Sequence, residues 1–78
     1  MSYLLYVRLG CHLCEDAAAL LAAVNVPARR VNIDRDPVLR AQYDTLVPVL
    51  YDAARDRELV FPFDAGDVVH FCAAAPPG

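Results

Sequence analysis

Cys11 and Cys14 stand three positions apart in the stretch LGCHLCE, with His12 and Leu13 between them. Two thiols at this spacing suit half of a metal clamp, a structural disulfide, or a dithiol that opens and closes reversibly. Spacing alone does not choose among the three. A zinc site would need two further ligands, for which the chain offers His70 and Cys72.

The flanking segments must position these thiols. Residues 3–8, YLLYVR, are aromatic and aliphatic with almost no polar interruption, which predicts a strand covered on both faces. Gly10 breaks the run. From Cys11 onward Leu13, Ala17, Leu20, Leu21 and Val24 recur at steps of three and four, the stripe of an amphipathic helix that Asn25 and Pro27 end. Residues 29–34, RRVNID, alternate in their second half, with Val31 and Ile33 on one face, and read as a strand near a sheet edge. Asp36 followed by Pro37 starts a short helix with Val38, Leu39 and Tyr43 facing inward. Two strand-like runs, 47–51 and 58–61, flank the polar DAARDR and form an antiparallel hairpin. Asp64 then caps a last helix, with Asp67 completing a capping box and Phe63 stapled onto Val68. The tail, 73–78, is too short and too proline-rich to fold.

The element order is therefore β-α-β-α-β-β-α, an α/β fold with a four-stranded mixed sheet flanked by helices. A right-handed crossover makes the first two strands parallel neighbours. The first strand, the most continuously apolar, belongs in the sheet centre with the hairpin on its other side. Residues 1–78 form a single domain without internal repeats, and a chain of this size buries only about 60% of its unfolded surface, so every element must join one core. His70 and Cys72 fall in the middle of the last helix, poorly placed to join two thiols at the start of the first.

Seven basic and ten acidic residues give a formal net charge of −3, and neither sign forms a long block. That leaves no electrostatic footprint for a nucleic-acid backbone and argues against an anionic membrane as partner. No segment approaches the roughly 18 apolar residues that span a bilayer, and MSYLLYVRLG has no basic leader, so a soluble protein without a targeting segment is expected. Three cysteines, an odd number, fit a reducing cytoplasm better than a secreted disulfide scaffold. Frequent Ala, Arg, Asp, Val and Pro without any lysine suggest a bacterium with a GC-rich genome.

Over about residues 3–73 the chain resembles the thioredoxin superfamily, and within it the small bacterial glutaredoxin-like proteins. Three landmarks in order carry the resemblance: GCHLC between the first strand and first helix, TLVPVL at 45–50, and FDAGD at 63–67. The sequence departs from the glutaredoxin pattern in having His-Leu where Pro-Tyr is usual between the cysteines, and one glycine where a pair is common. The resemblance implies a thioredoxin-like fold and a glutaredoxin-like thiol–disulfide oxidoreductase acting on protein disulfides or glutathione mixed disulfides. It also implies a cis bond before Pro48 that faces the dithiol, with the Val47 backbone free to pair with an extended substrate.

If the first helix begins at Cys11, that residue is its N-cap and Cys14 lies one turn in. Unpaired amides and the positive end of the helix dipole favour thiolate over thiol there, which marks Cys11 as nucleophile and Cys14 as the resolving thiol. Arg8 matches a basic residue of many glutaredoxins and could bind an anion or merely flank the strand end. His12 is a solvated first-turn residue or an aid to the thiolate, and Leu13 an apolar lid or substrate contact. Gly66 and Asp67 match the position near the glutathione γ-glutamyl group, although Asp67 is first a capping residue. Cys72 reads as a small core residue, with a regulatory thiol as the alternative. No cofactor or metal is expected to stay bound, glutathione is a possible co-substrate, and the protein is expected to be a monomer. The competing function class is a non-enzymatic module of the same fold that binds an iron–sulfur cluster, a metal or a protein partner.

Overall fold

In the computed structural model, which describes residues 3–73, strand β1 (Tyr3–Val7) serves two cores at once. Pleating sends Tyr3, Leu5 and Val7 to one face and Leu4 and Tyr6 to the other. The first set packs with Cys14, Ala17 and Leu21 of α1 (His12–Ala23) and with Val68 and Phe71 of α3 (Ala65–Ala73). The second packs with Ile33 and with Tyr43 of α2 (Pro37–Tyr43), where the Tyr6 ring stacks on Tyr43 at 4.8 Å between centroids and on Tyr51 at 5.9 Å. A strand buried on both faces has to lie inside the sheet, and the strand order is β2-β1-β3-β4. β2 (Arg29–Asn32) runs parallel to β1, β3 (Val49–Asp52) antiparallel to it, and β4 (Arg57–Val60) closes the hairpin. The expected element order, the mixed sheet and the central first strand are all observed, as the resemblance to the thioredoxin superfamily implies.

The helix ends follow the chemistry of their residues. Asn25 adopts φ 58°, and Val26 N–H donates to Leu21 O while Asn25 N–H donates to Ala22 O, a Schellman closure of α1. Asp36 caps α2 by accepting from the amides of Val38 and Leu39. At α3 the capping box is reciprocal: Asp64 Oδ1 accepts from Asp67 N at 2.8 Å and Asp67 Oδ2 from Asp64 N at 3.0 Å. Phe63 and Val68 are both buried in the same core.

Several expectations are corrected in detail. Ile33 is fully buried, but in a 3-10 turn (Ile33–Arg35) rather than in β2, because Asn32 Oδ1 captures the Asp34 amide and turns the chain. Leu13 and Val38 are 51% and 72% exposed. The inward face of α1 is set by Cys14, Ala17 and Leu21 and that of α2 by Leu39 and Tyr43, and each outlier lies one residue, about 100°, off that line. β3 starts at Val49 rather than Val47, since Pro48 has no N–H to give and the amides of Leu46 and Val47 both return to Tyr43 O. β4 ends at Val60, with Phe61 N–H donating singly to Pro48 O. Ala73, expected in the tail, closes α3, and 74–78 lie outside the described residues.

Candidate active site

Both thiols sit where the C-terminal end of β1 turns into α1. Arg8 and Leu9 lead to Gly10, whose φ of 70° suits a residue without a β-carbon, and the chain then enters the helix. Cys11 is the N-cap, with extended backbone at φ −98° and ψ 110°. Its Sγ accepts the Cys14 N–H at 3.2 Å and its carbonyl accepts from Glu15 N at the same distance. This is the N-cap role that serine or threonine usually fills, taken by sulfur.

The two sulfurs have different surroundings. Cys11 is half-buried at the rim, whereas Cys14 is 3% exposed and part of the core. Burial, above all, pushes the Cys14 thiol up to about 11, and its hydrogen bond to Cys11 adds to the effect; a hydrogen bond with the Arg8 backbone works the other way. A cleft of about 210 Å³ opens beside Cys14, lined by Arg8, Leu9, Gly10, Glu15, Arg30 and Asn32. A larger one, about 460 Å³, lies between the far end of α1 and the 25–28 loop, with no cysteine in its wall.

The other sequence-selected residues are distributed as follows. His12 is exposed at the first position of α1, and Leu13 is exposed beside it. The Arg8 guanidinium is already engaged: Nε and Nη2 donate to the two oxygens of Asp34 at 3.3 and 3.0 Å, and Nη1 donates to Asp44 Oδ1 at 2.6 Å. The Val47–Pro48 bond is cis, as is Phe61–Pro62. Val47 packs against both cores, the first of which also holds Cys11 and Cys14. Pro48 is fully buried, whereas Val47 is half-buried and Leu46 exposed. The Val47 N–H is bonded to Tyr43 O at 3.3 Å, which corrects the expectation of a wholly free backbone before the proline. Gly66 and Asp67 are exposed at the start of α3, with the Asp67 carboxylate held by the capping box. Cys72 is half-buried against the α1/α3 core and takes no part in the dithiol site.

Sequence reasoning missed the partners of Arg8 and two exposed leucines. Leu9 is 84% and Leu46 41% exposed. A signal existed for both, since Leu9 directly precedes GCHLC and Leu46 lies within TLVPVL ahead of Val47-Pro48, where no periodicity calls for an apolar residue.

Residues 3–70 match the family described as glutaredoxin-like domain (DUF836). Among solved structures, the protein XcR50 from X. campestris is 42% identical, and its X-ray structure has a TM-score of 0.88 over 96% of this chain and 100% of that one. Its solution structure gives 0.85 with both chains covered in full. Ne2328 from Nitrosomonas europaea, solved by NMR, is 31% identical, with a TM-score of 0.78 over 90% of this chain and 88% of its own. No curated protein matches the chain. With most of its length matched by the family and its elements superposing on these structures, the chain belongs to the glutaredoxin-like domain (DUF836) family.

Proposed function

We propose that this protein is a thiol–disulfide oxidoreductase in which Cys11 attacks and Cys14 resolves. The asymmetry of the two sulfurs carries this reading. One lies at the rim with a peptide N–H aimed at it, and the other is buried and kept protonated.

The chemistry balances without a cofactor. Cys11, as thiolate, attacks one sulfur of a substrate disulfide R–S–S–R′, forming Cys11–S–S–R and expelling R′–S⁻. Cys14 gives up its proton, which the expelled thiolate takes, and attacks Cys11 Sγ; the Cys11–Cys14 bond closes and R–S⁻ leaves. Two electrons have passed from the dithiol to the substrate. A thiol donor, two molecules of glutathione or a protein dithiol, returns them.

Substrates on this reading are protein disulfides or glutathione adducts, with glutathione as possible co-substrate. The protein works as a monomer in a reducing cytoplasm, and neither nucleic acid nor membrane takes part. Support comes from the odd cysteine count, the dispersed acidic charge, and the absence, among the described residues, of any helix long and apolar enough to cross a membrane.

The test is reduction of a glutathionylated peptide by wild type, Cys11→Ser and Cys14→Ser. Cys11→Ser should abolish turnover, and Cys14→Ser should leave a disulfide adduct on Cys11 that excess thiol removes. Equal activity in all three proteins would refute the proposal.

A further inference from the structure

We infer that the substrate is a protein disulfide set in an apolar segment, and that glutathione is a poor ligand of this site; the inference rests on the dithiol reading above. Recognition of glutathione, a small peptide with two carboxylates, calls for free cationic or amide donors near the attacking sulfur. The cation before the dithiol is spent, because Arg8 makes charge-assisted bonds to both Asp34 and Asp44. Arg30, on the other side of the cleft, lies 3.4 Å from Glu15. At the start of α3, the Asp67 amide is taken by Asp64 Oδ1 and the Asp67 carboxylate adds negative charge. Glu15 and Asp16 extend that charge along the exposed side of α1.

Beyond exposed His12 and the first-turn amides of α1 that face Cys11, what the site leaves open is leucine. Leu9 lies two residues before Cys11 and Leu13 two after it, 84% and 51% exposed; Leu46, 41% exposed, directly precedes Val47-Pro48. Asp44, bonded through its side chain to Arg8, ties the loop carrying Leu46 to the loop carrying Leu9. Val47 lies between this loop and the core that holds Cys11. Exposed leucines are ordinary when scattered, but here they flank both segments of one candidate site. An apolar stretch of substrate crossing Cys11 would cover them, gain burial energy and bring no unpaired carboxylate against Glu15 and Asp44.

The experiment compares two mixed disulfides of mercaptoethanol, one with a peptide whose cysteine is flanked by leucine and valine, the other with glutathione. Wild type should favour the peptide in kcat/KM by about tenfold or more, and the Leu9→Ser/Leu46→Ser double variant should lose most of that preference. Equal or better use of the glutathione compound, or a preference unchanged in the double variant, would overturn the assignment while leaving the dithiol reading intact. Lack of any Cys11-dependent reaction with either compound would remove the dithiol reading and this inference together.

Discussion

At the residue scale, a separation of three positions along the chain becomes a large difference in environment. Cys14 holds its proton in the fold with a value of about 11, against about 9 when unfolded. A group raised in this way contributes stability fully below its unfolded value and loses it as pH rises through the folded one. Urea midpoints should therefore fall between about pH 9 and 11, and the Cys14→Ala variant should show a smaller fall over that window. Tyr51, pushed up to about 12 by its hydrogen bond to Asp56, adds a further decline at higher pH that both proteins share. Arg8 belongs to this scale too. Arg8→Ala breaks partly exposed ion pairs to Asp34 and Asp44, each worth roughly 0–1 kcal/mol, so the expected loss is about 1 kcal/mol and should shrink in high salt.

At the element scale, the parts legible in the sequence are those whose signal is local. Asp36-Pro37, Asn25 and the Asp64–Asp67 pair each decide a helix end through their own side chains, and each does so in the structure. Replacing Asp64 with Ala should cost about 1 kcal/mol, read as a lower urea midpoint, because it leaves the Asp67 amide without its partner. Short helices were harder to read. With seven residues in α2, one apolar residue more or less shifts the apparent stripe, so Val38 looked inward while Leu39 and Tyr43 set the real face. The start of β3 was displaced for a different reason: Pro48 is apolar enough to extend a strand-like run but cannot join the hydrogen-bond ladder.

For the whole molecule, topology was readable because few arrangements satisfy a buried first strand, a right-handed crossover and a following hairpin. The wiring of the site was not. Arg8 meets partners 26 and 36 positions away, and no local pattern announces that its charge is spent. Nor does periodicity show that Leu9, Leu13 and Leu46 are left exposed, since each looks like an ordinary loop or helix residue in the sequence. A domain this small also has little stability in reserve. Leu50, fully buried in the central sheet, should cost about 2–5 kcal/mol as Leu50→Ala, a large share of the total for 78 residues, and thermal melting should show it directly.

The inequality of the two sulfurs underlies the whole account, and time-resolved alkylation of the reduced protein at pH 7 measures it. With its thiol near 11, Cys14 exists as thiolate in roughly one molecule in 10,000 at that pH, and it is shielded as well. Peptide mapping should find Cys11 modified first, with Cys14 far behind. Labelling of Cys14 as fast as Cys11, or a Cys11 that does not react, would contradict it.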